Sequence, residues 1–159
     1  MQSASITVCI DGLTAHLAVK GRGTFENSED IRVFSINAIE AGIPCVEFDM
    51  GQCTGMDSTF MGILTMISRT AMMNSSKIKL SNVNEANRKN LYSLGLKQLF
   101  EFTETSTQPM SLQEIKSQNL DRDTKQKNIL EAHEALIDAH DDNQPIFQDI
   151  VTFLKENNS

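Results

Sequence analysis

The sequence predicts an α/β fold, a mixed β-sheet with helices between its strands, followed by a C-terminal helical hairpin. Residues 6–10 and 14–19 are strand-like runs on either side of Asp11-Gly12, a favoured hairpin turn. Further strand patterns then alternate with helical patterns, which is typical of βαβ units. From Asp123 onward the pattern is helical in two blocks. The early hairpin therefore adds an antiparallel edge to an otherwise parallel sheet.

Composition limits the classes of protein. The 159 residues suffice for one ordinary domain plus an appendage, and 40% hydrophobic with 22% charged residues suit a soluble domain with a core. No apolar run approaches the roughly 20 residues that span a bilayer, and no export signal is apparent. The cysteines, Cys9, Cys45 and Cys53, lack the Cys-x-x-Cys spacing of a zinc site or redox motif. We expect a reduced, cytoplasmic protein without a metal or cofactor.

The charge is acidic and unevenly distributed. A formal net charge of −7 argues against a nucleic-acid-binding protein, which would need a basic face. Residues 1–110 hold 11 acidic and 9 basic side chains, whereas residues 111–159 hold 10 and 5. This asymmetry predicts a separate C-terminal element. We place a domain at 1–104, a polar linker at 105–112 and a helical extension at 113–159.

The first predicted helix begins after two polar residues, Asn27 and Ser28, either of which can cap it. Gly42 ends the helix and Pro44 prevents its continuation. Four apolar residues recur at helical spacing and are expected to face the core: Ile31, Phe34, Ala38 and Ala41.

The remaining elements of the first 104 residues follow the same alternation. Residues 45–50 read as a strand, and residues 77–80 alternate as another. Asn84 is a good cap for a short helix that Gly95 ends, and residues 99–102 read as a last short strand.

The stretch from residue 48 to residue 64 carries the chemistry. It begins as a strand, turns through small and polar residues, and continues as a helix for which Asp57 is the expected N-cap. Ser58 then occupies the first helical position, where backbone donors and the helix dipole favour an anion. A phosphate on this hydroxyl would change what can bind there without unfolding the helix.

The run Met56-Asp57-Ser58-Thr59, with its preceding strand and turn and with Gly62 downstream, resembles the STAS domain of bacterial anti-sigma factor antagonists. The resemblance covers roughly residues 5–104 and implies a mixed sheet with helices packed mainly on one face. In that family the serine after the aspartate is phosphorylated by a partner kinase; here it is Ser58. Three features depart from the family pattern: Phe60 replaces a glycine, Gly55 an apolar residue, and the loop at 21–24 differs.

The resemblance implies an interaction module and not an enzyme. Unphosphorylated Ser58 would allow binding to an anti-sigma factor with serine kinase activity, and a phosphatase would reset the phosphorylated form. Thr59 is a secondary candidate for phosphorylation. The residues expected to contact the partner are Asp57, Ser58, Thr59, Gly62, Thr65, Arg69 and Arg22.

One stripe of the helix after Asp57 is small or polar, and consists of Ser58, Gly62, Thr65 and Arg69 at spacings of three and four. Gly62 costs roughly 1 kcal/mol in a helix interior relative to alanine. Either another backbone approaches it closely, or it packs against an adjacent loop; the sequence favours neither.

The three histidines do not suggest catalysis. His16 lies inside a predicted strand and is expected at the surface or an edge. His133 and His140 are seven residues apart, near Asp138 and Asp141, and we favour a solvated helix end over a metal patch. Since all three lie far from Ser58 in the sequence, Ser58 has no obvious general base.

Two questions stay open at this level. The alternative function is a non-phosphorylated STAS adaptor or ligand-binding subunit of a transport or signalling complex. The apolar stripes of the C-terminal hairpin can bury against the domain core, a second copy in a homodimer, or a partner.

Overall fold

The computed structural model describes residues 4–104, 113–114 and 120–157. The strands are β1 (Ser5–Asp11), β2 (Thr14–Gly23), β3 (Cys45–Met56), β4 (Lys77–Ser81), β5 (Glu101–Thr103) and β6 (Gln113–Glu114). The helices are α1 (Phe25–Glu40), α2 (Ser58–Met73), α3 (Glu85–Ser93), α4 (Arg122–Ala139) and α5 (Gln144–Asn157), with short 3₁₀ turns at Lys97–Leu99 and Asp141–Asn143.

Within the described residues, the strands form one mixed sheet in the order β5-β4-β3-β2-β1-β6. The strands β2 to β5 pair in parallel, and β1 pairs antiparallel with β2 across a turn at Gly12, whose φ is +60°. The predicted mixed α/β fold with a C-terminal helical hairpin is confirmed.

The core lies between the sheet and the helices α1 and α2. Alternate side chains of the central strand β3, from Val46 through Phe48 to Met50, are fully buried in it. From α2, Phe60 and Leu64 are also fully buried in this core. The core thus fixes the position of α2 against the sheet.

The first helix begins earlier than predicted. Thr24, not Asn27 or Ser28, is the N-cap: its side chain accepts from the Glu26 N–H, and the Asn27 side chain accepts from the Thr24 N–H in a capping box. Asn27 and Ser28 are buried inside the helix. The predicted core position of Ala41 is also wrong, since this residue is the exposed C-cap.

His16 is buried, not at the surface or an edge as predicted. It is 6% exposed because β2 lies between β1 and β3 in the sheet. Its Nδ1 lies 3.6 Å from Oε2 of the neighbouring Glu47 on β3, which is equally buried.

The chain after residue 112 is not entirely helical. Gln113 and Glu114 pair antiparallel with Val8 and Thr7, and so add a sixth strand to the sheet. The predicted linker at 105–112 lies outside the described residues. No helix in the described part of the chain is long and apolar enough to cross a membrane.

The C-terminal hairpin packs against its own domain. Ala132, Ala135 and Leu136 of α4 are fully buried, and α4 lies along α2. The sequence left three partners open for the apolar stripe of the hairpin: the domain core, a second copy and a separate protein. In the structure the stripe packs against the domain core.

Candidate functional site at the start of α2

Asp57 joins the N-termini of two helices. Its Oδ1 accepts a hydrogen bond from the Phe60 N–H at 2.8 Å, which caps α2. Its Oδ2 accepts from the Phe25 N–H at 2.9 Å, at the first residue of α1. Because both helix dipoles point their positive ends at this carboxylate, Asp57 holds α1 and α2 in fixed relation.

Ser58 is half-buried, and its hydroxyl is bonded to the C-terminal hairpin. Its Oγ lies 2.8 Å from Nε2 of His133 on α4. The other ring nitrogen, Nδ1, lies 2.7 Å from the carbonyl oxygen of Ile129, which can only accept. Nδ1 therefore carries the proton in the neutral ring, and Nε2 accepts the hydrogen bond that Ser58 donates.

His133 is enclosed by α5 as well as by α2. It is 3% exposed, and its ring and that of Phe147 on α5 form an edge-to-face pair with a centroid distance of 5.2 Å. The sequence suggested no obvious general base for Ser58, but the structure corrects this. The fold brings His133, which is 75 residues away in the sequence, within hydrogen-bond distance of the hydroxyl. The signal in the sequence was a histidine beside the apolar stripe of an amphipathic helix.

Gly62 lies where α2 and α4 touch. A Cβ at this position would collide with the carbonyl oxygen of Ala132, so the two helix backbones are in direct contact. Of the two interpretations of Gly62, the close approach of another backbone is correct. The approaching backbone belongs to the same chain.

The rest of the predicted stripe is also covered or engaged. Thr65 is fully buried, and its hydroxyl donates to the Met61 carbonyl at 2.9 Å. Arg69 lies 3.5 Å from Asp138 of α4, in a largely exposed ion pair. Thr59, the secondary candidate for phosphorylation, is 5% exposed, so its hydroxyl is not accessible in this conformation.

Two neighbouring contacts account for the departures from the family pattern. The ring of Phe60 packs on Gly23, where an added Cβ would lie 2.8 Å from the ring. The exposed Arg22 lays its guanidinium group over Gly55, where an added Cβ would lie 2.8 Å from Nη1. The changes at 55 and 60 are thus matched by the last two residues of β2, Arg22 and Gly23.

The turn predicted between the strand and α2 is wrong, because β3 continues to Met56, directly before the N-cap Asp57. Within β3, the thiol of Cys53 is buried and donates to the Gly55 carbonyl at 3.3 Å. Burial raises the pKa of the Cys53 thiol above its ordinary value. This cysteine therefore stays protonated at neutral pH and acts as part of the packing at the end of β3.

The connection between α4 and α5 is fixed to the domain at a second point. Asn143 is fully buried, and its side-chain amide donates to the carbonyl of Leu94 at 2.9 Å and to that of Leu136 at 2.8 Å. The ring of His140 lies against Gly95, where a Cβ could not fit. The hairpin is thus attached both at the start of α2 and at the end of α3.

The model of the STAS domain family matches residues 6–108. The chain belongs to the STAS domain family. The STAS domain thus includes the β-sheet strands β1 to β5 and the site at Asp57 and Ser58, whereas α4 and α5 lie beyond the matched range.

Solved structures share the fold of this STAS domain. Unphosphorylated SpoIIAA, an anti-sigma factor antagonist, is 18% identical with a TM-score of 0.54, over 64% of this chain and 89% of SpoIIAA. Phosphorylated SpoIIAA, a Bacillus cell fate determinant, is 19% identical with a TM-score of 0.54, over 64% and 92%. A Thermotoga maritima protein is 15% identical with a TM-score of 0.58, over 63% and 86%. No curated protein sequence matches the chain significantly.

Proposed function

We propose that this protein is an anti-sigma factor antagonist in a partner-switching circuit, with Ser58 as the phosphorylated residue. The unphosphorylated form binds an anti-sigma factor that has serine kinase activity, and phosphorylation of Ser58 by that partner ends the association. A phosphatase restores the binding form. The circuit operates in the cytoplasm, and the phosphoryl chemistry belongs to the partner.

The observation that carries this proposal is the position of Ser58 as the first residue of α2, directly after the N-cap Asp57, in a STAS domain. A phosphate there carries a charge of roughly −1.5 to −2 and lies at the positive end of a helix dipole. The modified helix would remain folded, while the charge and bulk would repel a partner seated on it. Such a site changes binding without changing the fold.

The test is mass spectrometry of the protein isolated from its own cells, on the peptide that contains residues 56–69. We expect a phosphate on Ser58, and its loss in the Ser58→Ala variant, while Thr59→Val leaves the phosphate in place. Ser58→Asp should abolish binding to the kinase partner while α2 stays folded, with a loss of stability limited to the roughly 1 kcal/mol expected from the lost Ser58–His133 bond. An unmodified Ser58 under all growth conditions would refute the proposal.

A second candidate is a STAS adaptor that is not phosphorylated. The hydrogen bond from Ser58 to the buried His133 favours it, because this hydroxyl already has a partner within the chain. An adaptor would co-purify stably with a transport or signalling complex, and Ser58→Ala would not change that association. Exchange with a kinase partner that depends on ATP and on Ser58 would favour the antagonist instead.

A further inference from the structure

We propose that the α4–α5 hairpin is an intramolecular cover that competes with the external partner for the start of α2. In the closed form shown by the structure, the cover withholds Ser58. In an open form, the hairpin leaves α2 and the partner can dock. The consequence for phosphorylation rests on the proposed function, whereas the opening of the hairpin does not.

The first argument is that α4 occupies the stripe that a partner would use. His133 holds the hydroxyl of Ser58 at 2.8 Å, and the backbone of Ala132 touches α2 at Gly62. Farther along, Asp138 pairs with Arg69 at 3.5 Å. A partner cannot bind the same hydroxyl and the same glycine while α4 is in place, so the two states exclude each other.

The second argument is that the contact is suited to opening. The described buried side chains of α4 are small or polar, with one large aliphatic residue among them: Asn128, Ala132, His133, Ala135 and Leu136. The Arg69–Asp138 pair is about half-exposed or more on both sides, so water and salt weaken it. The buried side chains of α4 are mostly smaller or more polar than those that β3 and α2 bury, such as Phe48 and Phe60, so most of them remove less apolar surface from water.

The third argument is the attachment at the far end of the hairpin. Asn143 donates to two carbonyls, but its buried Oδ1 has no hydrogen-bond partner among the described residues. Burying an acceptor without a donor costs free energy, and that cost is recovered when the segment reaches water. The unpaired oxygen therefore weakens the attachment, which depends on the two hydrogen bonds that Asn143 donates.

Gly62→Ala is the variant that opens the cover. Its methyl group would collide with the Ala132 carbonyl, so α4 cannot keep its position. Within α2 itself, alanine is a better helix former than glycine, so the STAS domain stays folded. The matched control is Gly51→Ala in β3, where the methyl group would meet side-chain atoms of Asp49 and Asn82 at 3.2 and 3.4 Å instead of α4.

The readout is the rate at which diethyl pyrocarbonate modifies each histidine in the full-length protein, measured by peptide mass spectrometry. His133 reports on the cover, because Nε2 is buried against Ser58. His16, buried in the sheet, reports on the integrity of the domain. Gly62→Ala should accelerate modification of His133 about tenfold or more, because its rate follows the open fraction, and should leave His16 unchanged.

Asn143→Ala opens the hairpin from its other end, because it removes both hydrogen bonds at the attachment. It should accelerate the modification of His133 in the same way, without any change in α2. The proposal is overturned if His133 is modified no faster than in wild type in either variant. It is also overturned if modification of His16 accelerates as much as that of His133 in both variants, because the hairpin is then an integral part of the fold. In a lysate supplied with ATP, Asn143→Ala, which leaves the partner-binding stripe of α2 unchanged, should also acquire phosphate on Ser58 faster than wild type. Equal rates would overturn the regulatory part.

The two proposals fail separately. If no phosphate reaches Ser58 in wild type or in Asn143→Ala, then the proposed function fails. Histidine modification would still decide whether the hairpin opens, because that readout needs neither the kinase nor the phosphate.

Discussion

The hydroxyl of Ser58 lies 2.8 Å from Nε2 of His133, so the C-terminal hairpin binds the residue on which the proposed switch depends. The bond is directional, because Nδ1 of the same ring is occupied by the Ile129 carbonyl. The two residues join the STAS domain to a segment outside the family match.

A double-mutant cycle measures this bond. His133→Phe keeps an aromatic ring against Phe147 but removes the acceptor, and Ser58→Ala removes the donor. Ser58→Ala leaves Nε2 of His133 without its donor, and His133→Phe leaves the Ser58 hydroxyl without its acceptor. Because both variants remove the same hydrogen bond, their effects on stability should not add. We expect a coupling energy of about 1 kcal/mol in urea unfolding. Strict additivity of the two substitutions would show that the contact contributes nothing.

Asp57→Ala should lower the free energy of unfolding by about 3 kcal/mol, because two helix N-termini lose their charged acceptor. Asp57→Asn keeps one acceptor oxygen and presents an amide to the other N–H, so its loss should be intermediate. Asp121→Ala is the control, since this aspartate caps one helix only, by accepting from the Thr124 N–H. Its effect should be the smallest, as measured by thermal unfolding; equal losses for Asp57→Ala and Asp121→Ala would exclude the double role.

Local features of the fold could be predicted from the sequence. Asp57 and Asn84 cap their helices as expected, because an N-cap is decided within three residues of the chain. Gly42 and Gly95 end helices with φ values of +96° and +72°, as their positions after apolar runs predicted. In α1, by contrast, the sequence suggested Asn27 or Ser28 as the cap, and the capping box selected Thr24, three residues before Asn27.

The errors concern contacts between distant residues. The burial of His16 depends on β2 lying inside the sheet, which requires β1 and β3 to flank it. The Ser58–His133 bond depends on how the hairpin crosses α2, a geometry that helical periodicity leaves open. The stripe on α2 was recognised as a docking face, but its occupant in this structure is α4.

Gly23→Ala should destabilise the STAS domain by about 2 kcal/mol, because the methyl group would press into the buried ring of Phe60. In a Phe60→Ala background the ring is gone, so the same substitution at Gly23 should cost almost nothing. Gly55→Ala is the matched control: the nearest atom to its methyl group is also at 2.8 Å, but belongs to the exposed, flexible Arg22 side chain. Urea unfolding of the four variants measures the coupling, and an undiminished cost in the Phe60→Ala background would contradict the contact.

The N-terminus of α4 should respond to acid. The Thr124 backbone N–H donates to Asp121 Oδ1 at 2.7 Å, and this hydrogen bond holds the pKa of the Asp121 carboxyl below its ordinary value of 3.8. Since the folded-state pKa is depressed, the cap stabilises α4 fully above pH 3.8 and loses that effect as the pH falls through the lower, folded value. The Thr124 amide shift, followed by nuclear magnetic resonance, should therefore titrate with a midpoint below 3.8. Asp121→Asn accepts the same bond without a titrating charge and should abolish the transition; a midpoint at or above 3.8 would contradict the capping geometry.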